Sequence, residues 1–224
     1  MARSPWRVVE LAGSADELHH RDTVETQRTV TLCRVRGAAL VLGSTQPDGD
    51  VDRARVTSRG LDLTRRRSGG GAVLVEPETL AWIEVYVPRQ DPLWEPDVGR
   101  SFWWLGQAWA DAITALGVPG PDVHRSPPVA TAWSSWVCFA GVGPGEVTVG
   151  HRKVVGMAQR RTRAGALFQC AALVSWDARR LVDVLALTER QRDEAAASLG
   201  AVAAGLGPAV RVDDIEQSLV SHLP

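Results

Sequence analysis

The order of hydrophobic and polar residues predicts a chain that combines strands with helices. Alternating or continuous apolar runs predict seven strands, at residues 29–43, 71–75, 80–88, 136–140, 146–149, 153–161 and 166–176. Residues 76–79, Glu-Pro-Glu-Thr, are typical of a turn and predict a β-hairpin between the second and third of these strands. Glycine-containing segments at 150–152 and 163–165 separate further strand pairs.

Apolar residues at steps of three and four predict helices at 98–116, 177–187 and 188–206, with shorter ones at 14–20 and 213–223. Gly117 ends the first of these helices, and Thr188 is expected to cap the third. The strands cluster in the middle of the chain, with helices between and after them. This order predicts an α+β fold with a mixed, mostly antiparallel central sheet and flanking helices. No repeat or linker divides residues 1–224, so we expect a single domain.

Composition and charge narrow the class of protein. Hydrophobic residues make up 45% of the 224 residues and charged residues 23%, which is typical of globular chains and excludes a disordered protein. The net charge of −1 provides no general attraction for nucleic acids or anionic membranes, so neither is expected as a partner. The chain contains no run of about 18 apolar residues, so no membrane span is predicted. Three irregularly spaced cysteines favour a reducing, cytoplasmic location, and the scattered histidines predict no metal site.

Lys153 is the only lysine among the 25 lysine and arginine residues. Compositional bias alone is one explanation, in which case Lys153 has no special role. The alternative is a position that needs a compact ammonium group, because arginine does not replace lysine there. The sequence leaves both explanations open.

The segment 65–73, Arg-Arg-Arg-Ser-Gly-Gly-Gly-Ala-Val, is a second unusual feature. Three glycines in a row expose their amide groups and allow a ligand to lie against bare backbone. The arginines before them add positive charge suited to a carboxylate or phosphate. We therefore expect a site for an anion or an acyl carrier here. A flexible, solvated loop is the alternative.

Cys138 lies at the end of an apolar run and directly before a glycine-rich break, whereas Cys33 and Cys170 lie within apolar runs and are expected in the core. A thiol is a good nucleophile at neutral pH only when a nearby cation stabilises its thiolate. Lys153, fifteen residues further on, is the candidate cation. A structural role for Cys138 is the alternative.

The two stretches Arg-Arg-Arg-Ser-Gly-Gly-Gly-Ala-Val at 65–73 and His-Arg-Lys-Val-Val-Gly-Met-Ala-Gln-Arg-Arg at 151–161 together resemble the signatures of the lipoate–protein ligase A family. This family includes octanoyltransferases and is related to biotin ligases. The resemblance implies that Lys153 is catalytic. It also implies that the substrate is bound by residues of both stretches, namely Arg66, Ser68, Gly69, Gly70, Gly71, Gly156 and Gln159.

The resemblance implies transfer of an octanoyl or lipoyl group to one lysine of a lipoyl domain, in 2-oxoacid dehydrogenases or in the glycine-cleavage H protein. Cys138-Phe139 resembles the Cys-Phe pair of cysteine-dependent octanoyltransferases, which implies a Cys138 thioester loaded from acyl carrier protein without a cofactor. The alternative is an ATP- and Mg²⁺-dependent ligase that forms lipoyl-AMP. Many family members continue the glycine loop with a His-Asp pair, whereas this chain runs into Leu74-Val75-Glu76-Pro77, and it has Gly-Pro-Gly-Glu where the ligases have Asn-Asp. Because the His-Asp position is altered, a non-catalytic binder of lipoate-like ligands is a third hypothesis.

Overall fold

The computed structural model describes residues 6–22 and 25–224, and within these ranges it contains ten strands and six helices. The strands are β1 (Arg7–Gly13), β2 (Thr29–Val35), β3 (Ala39–Leu42), β4 (Asp62–Arg65), β5 (Val73–Val75), β6 (Leu80–Pro88), β7 (Pro121–Val123), β8 (Val147–Val149), β9 (Arg152–Arg161) and β10 (Gly165–Leu173). The helices are α1 (Ala15–His20), α2 (Arg53–Ser58), α3 (Trp103–Ala115), α4 (Ala178–Val182), α5 (Glu189–Val202) and α6 (Val212–His222). Residues 1–5 and 23–24 of the predicted domain lie outside the described ranges.

Seven strands form the large sheet, in the order β1-β2-β6-β10-β9-β8-β7. Only β1 and β2 pair in parallel; the other neighbours are antiparallel. The small sheet has the order β4-β3-β5, with one parallel and one antiparallel pair. The prediction of an α+β fold with a mixed, mostly antiparallel sheet is confirmed.

The two sheets and the helices form successive layers, because alternate residues of a strand face opposite sides. On β6, Ile83 and Val85 face the core shared with α3 and α6. Leu80 and Trp82 face the other way and pack against the small sheet. The far side of the small sheet is covered by α4 and α5. The space between the two sheets holds the site described below.

Several predicted elements match closely and three are wrong. The structure reproduces the bounds of β6 and keeps Thr188 as the N-cap of α5, where the Thr188 hydroxyl accepts the Gln191 amide. The predicted strand 29–43 is two strands, β2 and β3, in different sheets. The predicted hairpin does not form, because β5 pairs with β3 while β6 pairs with β2 and β10. Residues 136–140 are not a strand; they form a turn with one 3-10 segment, Cys138–Ala140.

The C-terminal segment supports the middle of the chain. The amide of Ala204, just after α5, donates to the carbonyl of Lys153 at 3.0 Å, so the segment following α5 is bound to the start of β9. Helix α5 also contacts the 3-10 segment at Cys138. The C-terminal residues therefore support the segments that contain Lys153 and Cys138. Across the described residues, no helix is both long and apolar enough to span a membrane.

Candidate active site

A cavity of about 310 Å³ lies between the two sheets. Its rim includes exposed residues of two loops, the glycine loop (defined as residues 66–71) and residues 128–130. Its inner end is apolar and buried, and is formed by Val75, Leu80, Trp82 and Phe139. An apolar interior with a polar rim suits a ligand that has a hydrocarbon chain and a polar reacting end.

Arg66 determines the shape of the glycine loop. Its buried guanidinium donates to the carbonyl oxygens of Gly69 at 2.6 Å and Gly71 at 2.9 Å. In contrast, no hydrogen bond joins the amide N–H groups of Gly69, Gly70 and Gly71 to any other described residue. The loop therefore uses its carbonyls internally and leaves donors unengaged at the rim. Ser68 also lines the cavity, and its hydroxyl has no partner among the described residues.

The structural requirement for glycine differs among the three positions of the loop. Gly70 has φ +95°, which a residue with a side chain rarely adopts. At Gly71 a Cβ atom would lie 2.3 Å from the backbone nitrogen of Val137, so glycine is needed for close approach of two backbones. At Gly69 a Cβ atom would meet nothing within 4 Å.

The close approach at Gly71 brings the glycine loop next to Cys138. The adjacent residue, Ala72, accepts the amide of Cys138 at 2.9 Å and donates to the carbonyl of Trp136 at 2.8 Å. Cys138 is half-buried and lines the cavity. Cys138 and the glycine loop thus line one cavity.

Two other cysteines are held in the core, as predicted. Cys170 lines the same cavity but is 1% exposed, and burial raises the pKa of its thiol to about 12. Cys33 lies outside the cavity, and burial raises its thiol pKa well above the usual range. A thiol with such a pKa contributes almost no thiolate at neutral pH. Cys138 is therefore the better candidate nucleophile.

Lys153 is 3% exposed and lines the cavity beside Cys138. Its ammonium group donates to the carbonyl oxygens of Cys138 at 3.0 Å and Gly141 at 3.1 Å, and it pairs with the Glu146 carboxylate at 2.7 Å. The face of the Phe139 ring lies 5.0 Å from the nitrogen. Two of the three ammonium donors are thus hydrogen-bonded to backbone carbonyls, and the charge is balanced by the Glu146 ion pair.

Gly156 provides space for Lys153. A Cβ atom at this position would lie 3.2 Å from Cε of Lys153 and 3.4 Å from the Phe139 ring. Gln159 is placed differently from the other predicted residues, since it does not line the cavity. Its side chain donates to the Ser101 hydroxyl at 3.1 Å and accepts from Arg161 at 2.7 Å. Its role in substrate binding remains a prediction.

The structure adds two residues that sequence reasoning did not identify. Glu146 lies in the Gly-Pro-Gly-Glu segment, and its buried carboxylate lines the cavity. His19 lines the cavity with its ring against Trp82, at a centroid distance of 4.2 Å. Burial and the positive charge of Arg66 lower the pKa of His19 to about 3, so its imidazole is neutral. The sequence does not indicate His19, because it lies far along the chain from the other site residues. Glu146 could be identified from its sequence, since it is an acidic residue close to the single lysine.

Eight of the nine predicted site residues line one cavity: Lys153, Cys138, Arg66, Ser68, Gly69, Gly70, Gly71 and Gly156. Within residues 6–22 and 25–224, no cluster of three or more His, Cys, Asp or Glu side chains is arranged to hold a metal ion.

Comparison with known proteins gives consistent results. The family model of the lipoyl protein ligase A/B catalytic domain matches residues 11–224. An octanoyltransferase LipM from Clostridioides difficile is 23% identical over 193 residues, covering 83% of this chain and 70% of the relative. One from Moorella thermoacetica is 30% identical over 186 residues, covering 78% of this chain and 66% of the relative. The chain thus spans about two thirds of these relatives' length.

Solved structures share the fold. A bipartite lipoate protein ligase from Thermoplasma acidophilum, described with its E2 lipoyl domain, has a TM-score of 0.75 at 19% identity and covers 97% of this chain and 82% of its own. A lipoate-protein ligase A bound with ATP has a TM-score of 0.73 at 17% identity, with coverages of 98% and 84%. At these identities the similarity to the solved structures shows a shared fold alone.

Proposed function

Because the chain belongs to the lipoyl protein ligase A/B catalytic domain family, we propose that it transfers an octanoyl group to the acceptor lysine of a lipoyl domain. The transfer proceeds through a thioester on Cys138, and the donor is an octanoyl thioester of acyl carrier protein. The octanoyltransferase names of the relatives support this choice of acyl group. The lipoyl domain described with the Thermoplasma acidophilum ligase supports this class of acceptor.

One observation carries the proposal. A half-buried cysteine, the single lysine and the bare glycine loop line the same cavity, and the interior of that cavity is apolar. The apolar end accommodates the hydrocarbon chain, which places the reacting carbonyl near the polar rim. Covalent catalysis then divides the transfer into two steps, each of which exchanges one bond at the carbonyl carbon.

In the first step the thiolate of Cys138 attacks the carbonyl carbon of the donor thioester. The carbon–sulfur bond to the carrier breaks, the carrier leaves as a thiolate that takes up a proton, and octanoyl-Cys138 remains. In the second step the neutral amine of the acceptor lysine attacks this thioester. An amide forms, Cys138 leaves as a thiolate, and the attacking nitrogen loses its extra proton to water.

Both steps pass through a tetrahedral intermediate that carries negative charge on oxygen. Donors placed where such charge develops are the largest contribution to many acyl transfers. The unengaged amides of the glycine loop supply the hydrogen bonds, and the ammonium of Lys153 supplies positive charge from the adjacent wall of the cavity. This division follows from the two hydrogen bonds and the ion pair that already engage the ammonium of Lys153.

The test combines two donor systems with one acceptor. Purified protein and an apo lipoyl domain are incubated once with octanoyl-acyl carrier protein and once with ATP, Mg²⁺ and lipoate, and both proteins are weighed by mass spectrometry. We expect an octanoyl adduct on the protein that hydroxylamine removes, followed by modification of the lipoyl domain. Both are lost in Cys138→Ala and retained in Cys170→Ala, the matched control because Cys170 lines the same cavity.

The other hypotheses predict different results. Modification that requires ATP and persists in Cys138→Ala would establish the ligase and overturn the thioester proposal. Lipoate binding without modification under either condition would establish a non-catalytic binder.

A further inference from the structure

Glu146 joins three parts of the active site. Its carboxylate is 6% exposed and lies just before β8. One oxygen accepts the amide of Gly143 at 2.7 Å and pairs with Lys153 at 2.7 Å, while the other accepts the amide of Met157 at 2.9 Å. The carboxylate therefore ties the glycine-rich break to two positions on β9.

Lys153 passes this constraint on to the nucleophile. The same ammonium group that pairs with Glu146 donates to the carbonyls of Cys138 and Gly141, at the start of the 3-10 turn and just beyond it. A turn of this kind has few internal hydrogen bonds and is easily distorted. The direction in which the Cys138 thiol faces the cavity thus depends on where Lys153 is held.

We propose that Glu146 is a positioning residue of the acyl-transfer site, acting through Lys153 to hold the Cys138 turn against the glycine loop. This inference rests on the function proposed above. Glu146 need not touch the substrate. It balances the buried charge of Lys153 and fixes the ammonium where it donates to the carbonyls of Cys138 and Gly141.

Charge and not merely side-chain volume is what the position requires. Glutamine has nearly the shape of glutamate, but its NH₂ group is a donor and cannot accept from the backbone amides that now donate to the carboxylate. In Glu146→Gln at least one of these hydrogen bonds is lost and Lys153 has no anionic partner. A displacement of about 1 Å at a reacting group lowers rates by as much as about a hundredfold.

The experiment measures kcat and KM for octanoyl transfer, together with the single-turnover rate of Cys138 acylation, in the full chain. We expect Glu146→Gln to lower kcat and the acylation rate about tenfold to a hundredfold, with KM for the acyl donor changed less than about threefold. Glu146→Asp keeps the charge but is one methylene shorter, and it is expected to lose at least about tenfold in kcat while remaining folded. If Glu146→Gln does not fold, the Glu146→Asp variant provides the test.

Glu216→Gln is the matched control. Glu216 is 3% exposed on α6 and paired with the half-buried Arg34, so its replacement also removes a buried carboxylate from an ion pair, but at residues that do not line the cavity. Its kcat should remain within about twofold of the wild type. If kcat and the acylation rate of folded Glu146 variants match those of this control, the inference is overturned. If the wild type itself forms no octanoyl-Cys138, the proposed function fails first, and the inference falls with it.

Discussion

The glycine loop offers a prediction with an internal control, because Gly69 and Gly71 are two residues apart and face different surroundings. An alanine Cβ at Gly71 would lie 2.3 Å from the backbone nitrogen of Val137, whereas at Gly69 it would meet nothing within 4 Å. The same chemical change, one methyl group, therefore produces a backbone collision at one position and only fills open space at the other.

The expected magnitudes follow from these contacts. A collision with backbone is not relieved by a rotamer change, and such overpacking costs about 1–3 kcal/mol of unfolding free energy. Gly71→Ala should also displace the turn that carries Cys138, since the neighbouring Ala72 is hydrogen-bonded to it. Gly69 lies outside the left-handed region, so Gly69→Ala should leave stability unchanged or raise it by about 0.4–1 kcal/mol through the unfolded state.

The assay is urea denaturation followed by octanoyl-transfer kinetics on the same preparations. With a slope of about 2 kcal/mol/M, a loss of about 2 kcal/mol lowers the urea midpoint of Gly71→Ala by about 1 M. We expect kcat of this variant to fall, because the nucleophile moves. Gly69→Ala should keep its midpoint or raise it by up to about 0.5 M. It should raise KM for the acyl donor, because the new methyl group lies on the rim where the substrate approaches the bare loop.

Two results would refute this reasoning. Equal midpoints for the two variants would show that Gly71 does not lie against the backbone of Val137. An unchanged KM in Gly69→Ala would show that the substrate does not lie against this part of the glycine loop.

Three further predictions concern the residues around the loop. Lys153→Met leaves the Glu146 carboxylate buried without its charge partner and should lower the free energy of unfolding in urea by about 3–5 kcal/mol. Adding Glu146→Gln should recover much of this stability without restoring acyl transfer. If the stability losses of the two single variants simply add in the double variant, the ion pair is contradicted. Gly156→Ala should lower kcat about threefold to tenfold by displacing Lys153 a few tenths of an ångström, with a thermal midpoint near that of the wild type. The pKa of His19 is about 3 in the folded protein but about 6.5 when unfolded, so wild-type stability should fall as pH drops below about 6.5, whereas the thermal midpoint of His19→Gln should depend less on pH over this range.

The sequence specified local structure better than strand partners. Continuous apolar patterns gave the bounds of β6, and Thr188 with Gln191 three residues later gave the start of α5. The pattern could not show that 29–43 contains two strands, because apolar residues recur through both and only residues 36–38 separate them. Nor could it assign β5 and β6 to different sheets, since a turn between two strands favours a hairpin unless tertiary contacts select other partners.

The site was predictable to the extent that its chemistry was concentrated in two short stretches. The glycine loop and the Lys153 segment identified the cavity, but the loop amides and the carbonyls that Lys153 contacts carry no sequence signal. Cys138 was placed on a strand because its neighbours are apolar, whereas close contact with the glycine loop makes this segment a turn. His19 lies far in sequence from every other cavity residue, and only the fold brings it to the cavity.

The geometry around Lys153 accounts for the presence of one lysine in an arginine-rich chain. Its nitrogen has three oxygen partners at 2.7–3.1 Å, which suits the three divergent donors of an ammonium group. A guanidinium is planar and larger, and its donors form a fixed fork, so it does not point at three oxygens around one centre. The space is also limited, because Gly156 and the ring of Phe139 close around the side chain. Elsewhere, exposed ion pairs such as that of Arg59 with Asp183 tolerate arginine because solvent leaves room for the fork. The unique lysine thus marks the position where a compact charge is needed.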